Sequence, residues 1–158
     1  MVEVLMVIII IFIMALMARP ALKSFSPSFS LHTSAKTIRQ MLVLAKSRAL
    51  GDPNVHAGIY LSNTNFPDSV IAFLDDDATS LNDYQYTPGK DHLLAPALKL
   101  SRSDTLVIDP SITFNTIVFR GDGSAKTSAR FYIKSKFNRC DTISVLASTG
   151  RIRLAKNR

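Results

Sequence analysis

The sequence predicts an α+β fold in which a long N-terminal helix packs on antiparallel β-sheet. Three observations support this fold: an uncharged apolar block opens the chain, an amphipathic helical pattern follows, and short strand-like segments separated by turn formers fill the rest. The 158 residues allow one domain of ordinary size plus an appendage. We therefore expect a hydrophobic transmembrane and assembly helix at 1–20, an amphipathic helix that continues the stem at 21–51, and a globular β-rich domain at 52–158.

The apolar block covers residues 4–18 and contains no charged side chain. This composition suits hydrocarbon, although the block is shorter than the roughly 18 to 20 apolar residues of a full membrane span. Taken alone, it is also compatible with a signal-peptide core or a buried helix. Its flanks do not fit a signal peptide, because Glu3 precedes the block and Arg19-Pro20 follows it. We therefore interpret the block as membrane-embedded.

A second helical segment follows a Ser- and Phe-rich stretch. Between residues 34 and 50, apolar side chains recur at spacings of three and four, which is typical of an amphipathic helix that docks on a sheet. Gly51 and Pro53 should end this helix, since glycine suits the left-handed cap position and proline cannot continue the helix. We expect the helix to bend or loosen near Pro20.

The remaining residues carry the signals of short β-strands. Seven segments are predicted as strands: 55–61, 70–74, 105–108, 117–120, 129–134, 142–147 and 152–154. Residues 119–124 and 148–150 contain glycine and are predicted as turns between antiparallel strands. Residues 75–104 are polar and contain proline, so we expect a variable surface insertion there.

The net charge of +7 is concentrated in the C-terminal third. Residues 120–158 hold ten Lys or Arg residues against two Asp residues. This asymmetry indicates either an anionic partner for that part of the chain or a solvated basic face. The single cysteine, Cys140, excludes an internal disulfide and a cysteine-based zinc cluster, so the hydrophobic core must supply the stability.

No enzyme chemistry is predicted, and no catalytic residue, cofactor or metal site is assigned. The three histidines, His32, His56 and His92, lack metal-ligand spacing and have no obvious carboxylate partner in sequence. The run of Asp residues at 75–77 lacks the alternating ligands and the glycine of a calcium loop, so we expect a solvated acidic turn. Cys140 is expected to be a small buried core residue. The sequence at 121–124 is a turn rather than a phosphate loop.

Glu3 is the only glutamate in the chain and adjoins the apolar block. A carboxylate in hydrocarbon costs at least a few kcal/mol unless it is paired, or unless it lies among the headgroups at the membrane surface. The segment from Val2 through the apolar residues to Pro20, followed by an amphipathic helix, resembles the N-terminal region of type IV pilins and pseudopilins. This resemblance implies that Glu3 pairs with the terminal amine of a neighbouring subunit during assembly, and that Pro20 lets the helix stretch within a filament.

A second resemblance covers the C-terminal third. The segments 117–124 and 142–153, which include Gly150-Arg151-Ile152-Arg153, resemble the globular domain of GspH/FimT-type pseudopilins. This resemblance implies a structural minor pilin or pseudopilin of a type II secretion system or a type IV pilus. The other pilins are its implied partners through the N-terminal helix. A periplasmic domain on an ordinary membrane anchor, without a filament, is the less favoured alternative.

The resemblance also implies a location and a maturation route. We expect a single-pass protein of the bacterial inner membrane with its globular domain in the periplasm, which becomes associated with a filament after assembly. The family has a short basic leader, a glycine before the cleavage point and a first mature aromatic residue, none of which the sequence contains. Met1 would align inside the mature segment, so we expect a start codon assigned too late or a trimmed chain. Prepilin peptidase is an implied partner if the leader exists, and methylation is also implied.

Some members of the family take up DNA through a basic C-terminal motif. Here that motif would comprise Arg151 and Arg153, with Lys156 and Arg158 extending the charge. Arg130 and Lys134 would add to the basic surface that meets the phosphates. The alternative is that Arg151 and Arg153, at alternate positions, simply occupy one solvent-facing side of the last strand.

Overall fold

The computed structural model describes residues 2–52, 54–64, 66–76, 83–136 and 138–157, with no side chains described at 2, 5, 15–28 and 157. Within these described residues, one long helix, α1 (Val2–Gly51), precedes nine strands. The first sheet contains β1 (His56–Ser62), β2 (Ser69–Asp75), β3 (His92–Leu93), β4 (Leu98–Lys99) and β6 (Thr116–Phe119). The second contains β5 (Asp104–Ile108), β7 (Ala129–Ser135), β8 (Cys140–Leu146) and β9 (Arg151–Asn157). All pairings are antiparallel, which confirms the α+β prediction.

All seven predicted strands are present, with bounds within two residues of those expected except that β9 continues three residues beyond 154, and α1 ends at Gly51 as predicted. In the first sheet the order is β3-β2-β1-β6, with β4 also pairing with β2; in the second it is β5-β7-β8-β9. The turn at 120–124 does not connect paired strands, because β6 and β7 lie in different sheets. After this turn, the chain pairs back with β6 through an isolated antiparallel bridge between Ala125 and Phe119.

The second half of α1 is the element that joins the two sheets. Its apolar face is fully covered and packs against β1, β2 and β6 of the first sheet and β7, β8 and β9 of the second. The buried positions recur at helical spacing: Leu31, Ala35, Ile38, Met41, Leu42, Ala45 and Ala49. They meet the aromatic centre of the sheets, where Phe119 and Phe131 are completely buried. The amphipathic prediction for this segment is therefore confirmed.

The described part of residues 75–104 packs onto the first sheet instead of forming a separate surface insertion. The strands β3 and β4 both pair with β2, and Leu100 is buried in the core. The ring of Tyr86 lies 5.2 Å from that of Tyr60 and 5.3 Å from that of Phe73. The polar composition concealed these contacts, because strands of two residues show no alternating pattern.

Candidate functional site

The first turns of α1 form an exposed apolar stem. Every described large apolar side chain between Val4 and Met14 is between 49% and 67% exposed. A helix that is apolar on all sides is unfavourable in water, so this segment needs a cover of other apolar helices or lipid. Across the described part of the chain, no helix combines the length and the apolar character needed to span a bilayer.

Glu3 lies exposed at the start of this stem. It makes no hydrogen bond or ion pair with the residues that the structure describes. Its carboxylate is therefore available to a group outside the described residues. Pro20 lies within α1, and its predicted role in stretching the helix stays a prediction.

The outer face of the second sheet brings together arginines that are distant in sequence. Strand alternation places Arg151 and Arg153 on this face, while Ile152 and Leu154 turn inward. In the register of β7, β8 and β9, Ser144 lies opposite both Arg130 and Arg153. The three residues form one row across the sheet, and Arg151 and Arg153, two residues apart on β9, are both exposed on this face.

A cleft of about 480 Å³ opens on this outer face. Its charged and hydroxyl-bearing lining comprises three arginines, three serines and one aspartate: Arg130, Arg151, Arg153, Ser111, Ser128, Ser144 and Asp109. Guanidinium groups and hydroxyls are suited to phosphate or carboxylate oxygens. The cleft is therefore a candidate anion site, which we call the arginine cleft.

Asp109 reduces the positive charge of the arginine cleft but does not cancel it. Hydrogen bonds from the backbone N–H and the side chain of Ser111 lower the pKa of this carboxyl, and the charge of Arg130 lowers it further. Asp109 is thus ionised at neutral pH. Three guanidinium groups face one carboxylate, so the cleft carries a net positive charge.

Lys156 does not join the arginines of the cleft. Its parity along β9 places it with Ile152 and Leu154, and it lines a second groove between β9 and α1. Lys134 lies on the outer face opposite Cys140, beyond the cleft lining. Arg158, the last residue of the predicted basic motif, falls outside the described residues.

The turn that carries Arg151 is fixed by two contacts. Lys46 on α1 donates hydrogen bonds from its Nζ to the carbonyl oxygens of Thr149, at 2.9 Å, and Gly150, at 3.2 Å. Gly150 has φ +56°, and a Cβ at this position would collide with the carbonyl oxygen of Gly123. Glycine is therefore required here by the packing of two turns, whatever the arginines bind.

The serines and Asp109 of the cleft were not predicted as site residues. They lie on three separate segments, and only the strand register and the turn after β5 bring them to the arginines. The one available signal was strand alternation, which places Ser128, Arg130 and Ser144 on the same side as Arg151.

Two predictions about the acidic run and the histidines need correction. Asp75 is not in a solvated turn, because it ends β2 with only 2% of its surface exposed. His92 and His32 both have carboxylate partners: Asp76 at 2.6 Å and Asp141 at 3.2 Å. Asp77 lies outside the described residues. No group of three potential ligands suited to a metal ion occurs among the residues described.

Cys140 also departs from its prediction. It starts β8 and is half-buried rather than part of the core. Its Sγ donates a long hydrogen bond, at 3.9 Å, to the carbonyl oxygen of Asp141. The turn at 121–124 is confirmed, with Gly123 donating its N–H to the carbonyl oxygen of Arg120.

Comparison with solved structures shows which proteins have a similar architecture. A crystal structure of the type IV minor pilin FimU of Pseudomonas aeruginosa aligns with 83% of this chain and 92% of its own, with a TM-score of 0.56 and 17% identity. A second crystal form of the same protein covers 78% and 91%, with a TM-score of 0.54 and 16% identity. The chain has the fold of a type IV minor pilin.

No family model and no curated protein matches the sequence. The sequence identity to FimU is low, so the similarity shows the fold. It does not by itself assign a filament system, a partner or a ligand to this chain.

Proposed function

We propose that the chain is a structural minor pilin or pseudopilin that enters a filament of a type IV pilus or a type II secretion system through its N-terminal helix. The observation that carries this proposal is the exposed apolar stem at the end of a domain with the minor pilin fold. Its apolar side chains find cover when stems of several subunits pack together, as small and apolar helix surfaces do in a bundle. Pro20 follows the stem on the same helix, and it is where the helix would lose hydrogen bonds and stretch.

Before assembly, the stem would reside in the bacterial inner membrane and hold the domain in the periplasm. Glu3 would lie near the membrane surface and, on assembly, pair with the terminal amine of a neighbouring subunit. Its exposed carboxylate, unpaired among the described residues, supports this role. An unpaired carboxylate in an apolar bundle is costly, so pairing would also fix the register of the stems.

The test uses the full chain in the bacterium that encodes it, carrying either Glu3→Gln or Glu3→Asp. Glu3→Gln removes the charge at nearly constant shape, while Glu3→Asp retains the charge and serves as the matched control. We expect Glu3→Gln to lower the amount of protein in sheared surface filaments by about tenfold or more, with an unchanged amount in the membrane fraction. Equal incorporation of both variants would refute the assembly role of Glu3.

The arginine cleft supports a second function, binding of DNA by a minor pilin for DNA uptake. Arg151 and Arg153 make no ion pair with the described residues, so both guanidinium groups are available to phosphates. Arg130 extends their row across the sheet. Phosphate contacts made by such groups give affinity that falls steeply with salt.

The DNA test compares two double variants of the full chain in nonionic detergent. Arg151→Ala/Arg153→Ala removes two cleft charges, and Arg48→Ala/Arg102→Ala removes two exposed charges elsewhere. A 20-base-pair duplex should bind the parent chain in a salt-dependent manner, and only the first variant should lose about tenfold in affinity, with a salt slope reduced by about two. Absence of binding at low salt, or equal losses in both variants, would exclude the cleft as a DNA site.

A further inference from the structure

The last strand of the second sheet has an unpaired edge. Within the described part of the chain, β9 pairs only with β8, along seven consecutive residue pairs, and it ends the strand order β5-β7-β8-β9. In an antiparallel strand, alternate residues direct their N–H and C=O groups to opposite neighbours. About half of the backbone groups of β9 therefore face outward, where another extended segment can pair with them.

Beside this edge, a groove of about 660 Å³ runs between β9 and α1. We call it the edge groove. Ile152 and Leu154 are half-buried in its wall, and His32 and Arg39 contribute from the helix. A strand added to β9 would extend the sheet over this groove and cover the two apolar side chains.

The charge around the groove is positive. Arg39, Arg153 and Lys156 are exposed, and none of them makes an ion pair with a described residue. Among the described residues that line the groove or lie opposite β9 on β8, only Asp141 carries a carboxylate; it lies opposite Lys156 and is buried against His32. A partner with acidic side chains would therefore complement the charge of the groove.

We propose that the edge of β9 accepts an extended segment of a neighbouring subunit as a fifth strand, and that this segment alternates acidic and apolar side chains. Acidic side chains on the outer face would meet Arg151 and Arg153, and apolar ones on the inner face would cover Ile152 and Leu154. Strand pairing stands on the edge geometry alone; only the identity of the donor as a filament subunit rests on the proposed function.

The same charges argue against a second copy of this chain as the donor. Two β9 edges placed side by side would bring Arg151, Arg153 and Lys156 of each copy together, and like charges across a strand pair are destabilising. Basic side chains on an edge strand also discourage aggregation in general. An acidic strand is the partner for which these charges become attractive.

The first experiment measures amide hydrogen exchange of β9 in the full chain in nonionic detergent. The probe is a ten-residue peptide that alternates glutamate and valine. A second peptide carries lysine in place of glutamate, and a third keeps glutamate but is N-methylated at every residue, which removes the backbone donors of both edges. We expect the acidic peptide to slow exchange of the outward β9 amides, and both other peptides to bind at least about tenfold more weakly.

A charge exchange provides the matched control. Arg151→Glu/Arg153→Glu should bind the lysine peptide better than the glutamate peptide, whereas Arg48→Glu/Arg102→Glu, with the same change in net charge away from the groove, should keep the original preference. Equal binding of the N-methylated peptide, or a preference unaffected by Arg151→Glu/Arg153→Glu, would overturn strand pairing.

The same measurement can reveal two other occupants of the β9 edge, and either result would overturn the proposal. Protection of the β9 amides that rises with protein concentration, without peptide, would assign the edge to a second copy. Equal protection by a DNA duplex would assign it to nucleic acid. If the parent chain is absent from sheared surface filaments while the acidic peptide still pairs, the proposed function fails and the strand pairing stands.

Discussion

Lys46, on the second half of α1, donates a hydrogen bond of 2.9 Å to the carbonyl oxygen of Thr149, in the turn between β8 and β9. The same ammonium group reaches the carbonyl oxygen of Gly150 at 3.2 Å. One helical side chain thereby holds the turn from which β9 begins. The direction of Arg151, the first residue of β9, is thus set by a residue 105 positions earlier in the chain.

Lys46→Met should loosen this turn. The substitution keeps most of the side chain but removes both hydrogen bonds to carbonyl oxygens, so we expect the free energy of unfolding to fall by about 1 to 2 kcal/mol. Urea titration of the full chain in nonionic detergent measures this loss. Lys36→Met is the control, since Lys36 is exposed on the same helix and makes no hydrogen bond with the described residues. An equal loss in both variants would refute the role of Lys46.

Gly150→Ala should destabilise the domain more than Gly89→Ala. Both glycines have positive φ, at +56° and +81°, so both substitutions carry a backbone cost of about 1 kcal/mol. Only at Gly150 would the new Cβ collide with the carbonyl oxygen of Gly123, while Gly89 has open space around it. We expect roughly 2 kcal/mol of additional loss at Gly150, measured by the same titration. Similar losses of stability in the two variants would mean that the turns containing Gly123 and Gly150 can move apart at little cost in free energy.

Asp75→Asn should stabilise the protein at neutral pH. The pKa of Asp75 is raised to about 6, mainly by burial and to a smaller extent by the nearby carboxylates of Asp83 and Asp91, against the lowering effect of the hydrogen bond from the Tyr84 N–H. The folded state therefore binds this proton more tightly than the unfolded state does, and its stability falls as pH rises between the ordinary pKa and about 6.

The asparagine side chain keeps an acceptor for the Tyr84 N–H without the charge. We expect a gain of about 1 kcal/mol near pH 7 that disappears near pH 4, in titrations at both pH values. Asp109→Asn should show the opposite sign: its pKa is lowered, so its ionised form stabilises the fold at neutral pH, and that contribution is lost as pH falls below the ordinary value. A gain at Asp75 that is independent of pH would contradict the electrostatic cause.

Local patterns predicted most of the fold. The alternation from Ala129 to Lys134 and the three- and four-residue spacing after residue 34 predicted elements whose buried faces the structure confirms. The division into two sheets was not predictable, because the glycine-containing turn at 120–124 has the sequence of a hairpin turn. Its chain path depends on Gly123 packing against Leu50 of α1, a contact made only after the helix docks.

The candidate site was predicted only in part, because some of its residues are brought together by contacts between segments that are distant in sequence. Alternation alone placed Arg151 and Arg153 on one face, because parity is a local property of a strand. The addition of Arg130 depends on the register across Ser144, and register is set by the whole sheet. The position of Asp75 was predicted wrongly because three consecutive aspartates have the composition of a turn, although the first of them completes β2.

The contact between His32 and Asp141 should couple helix and sheet energetically. His32 Nδ1 lies 3.2 Å from Asp141 Oδ2, and the carboxylate is only 5% exposed. His32→Ala leaves this buried carboxylate without its partner, at a cost of about 1 to 3 kcal/mol. Asp141→Ala removes the carboxylate itself, so the double variant should lose less than the sum of the two single losses. A double-mutant cycle by urea titration should give a coupling of about 1 kcal/mol or more.

The pair His92 and Asp76 is the matched control for this cycle. Its atoms are closer, at 2.6 Å, but the His92 side chain is 79% exposed. Water screens an exposed pair, so its coupling should stay below about 0.5 kcal/mol despite the shorter distance. If the exposed pair couples as strongly as the buried one, burial is not the source of the coupling energy between His32 and Asp141. If the buried pair couples more strongly, His32 holds α1 against β8, beside the edge groove that His32 itself lines.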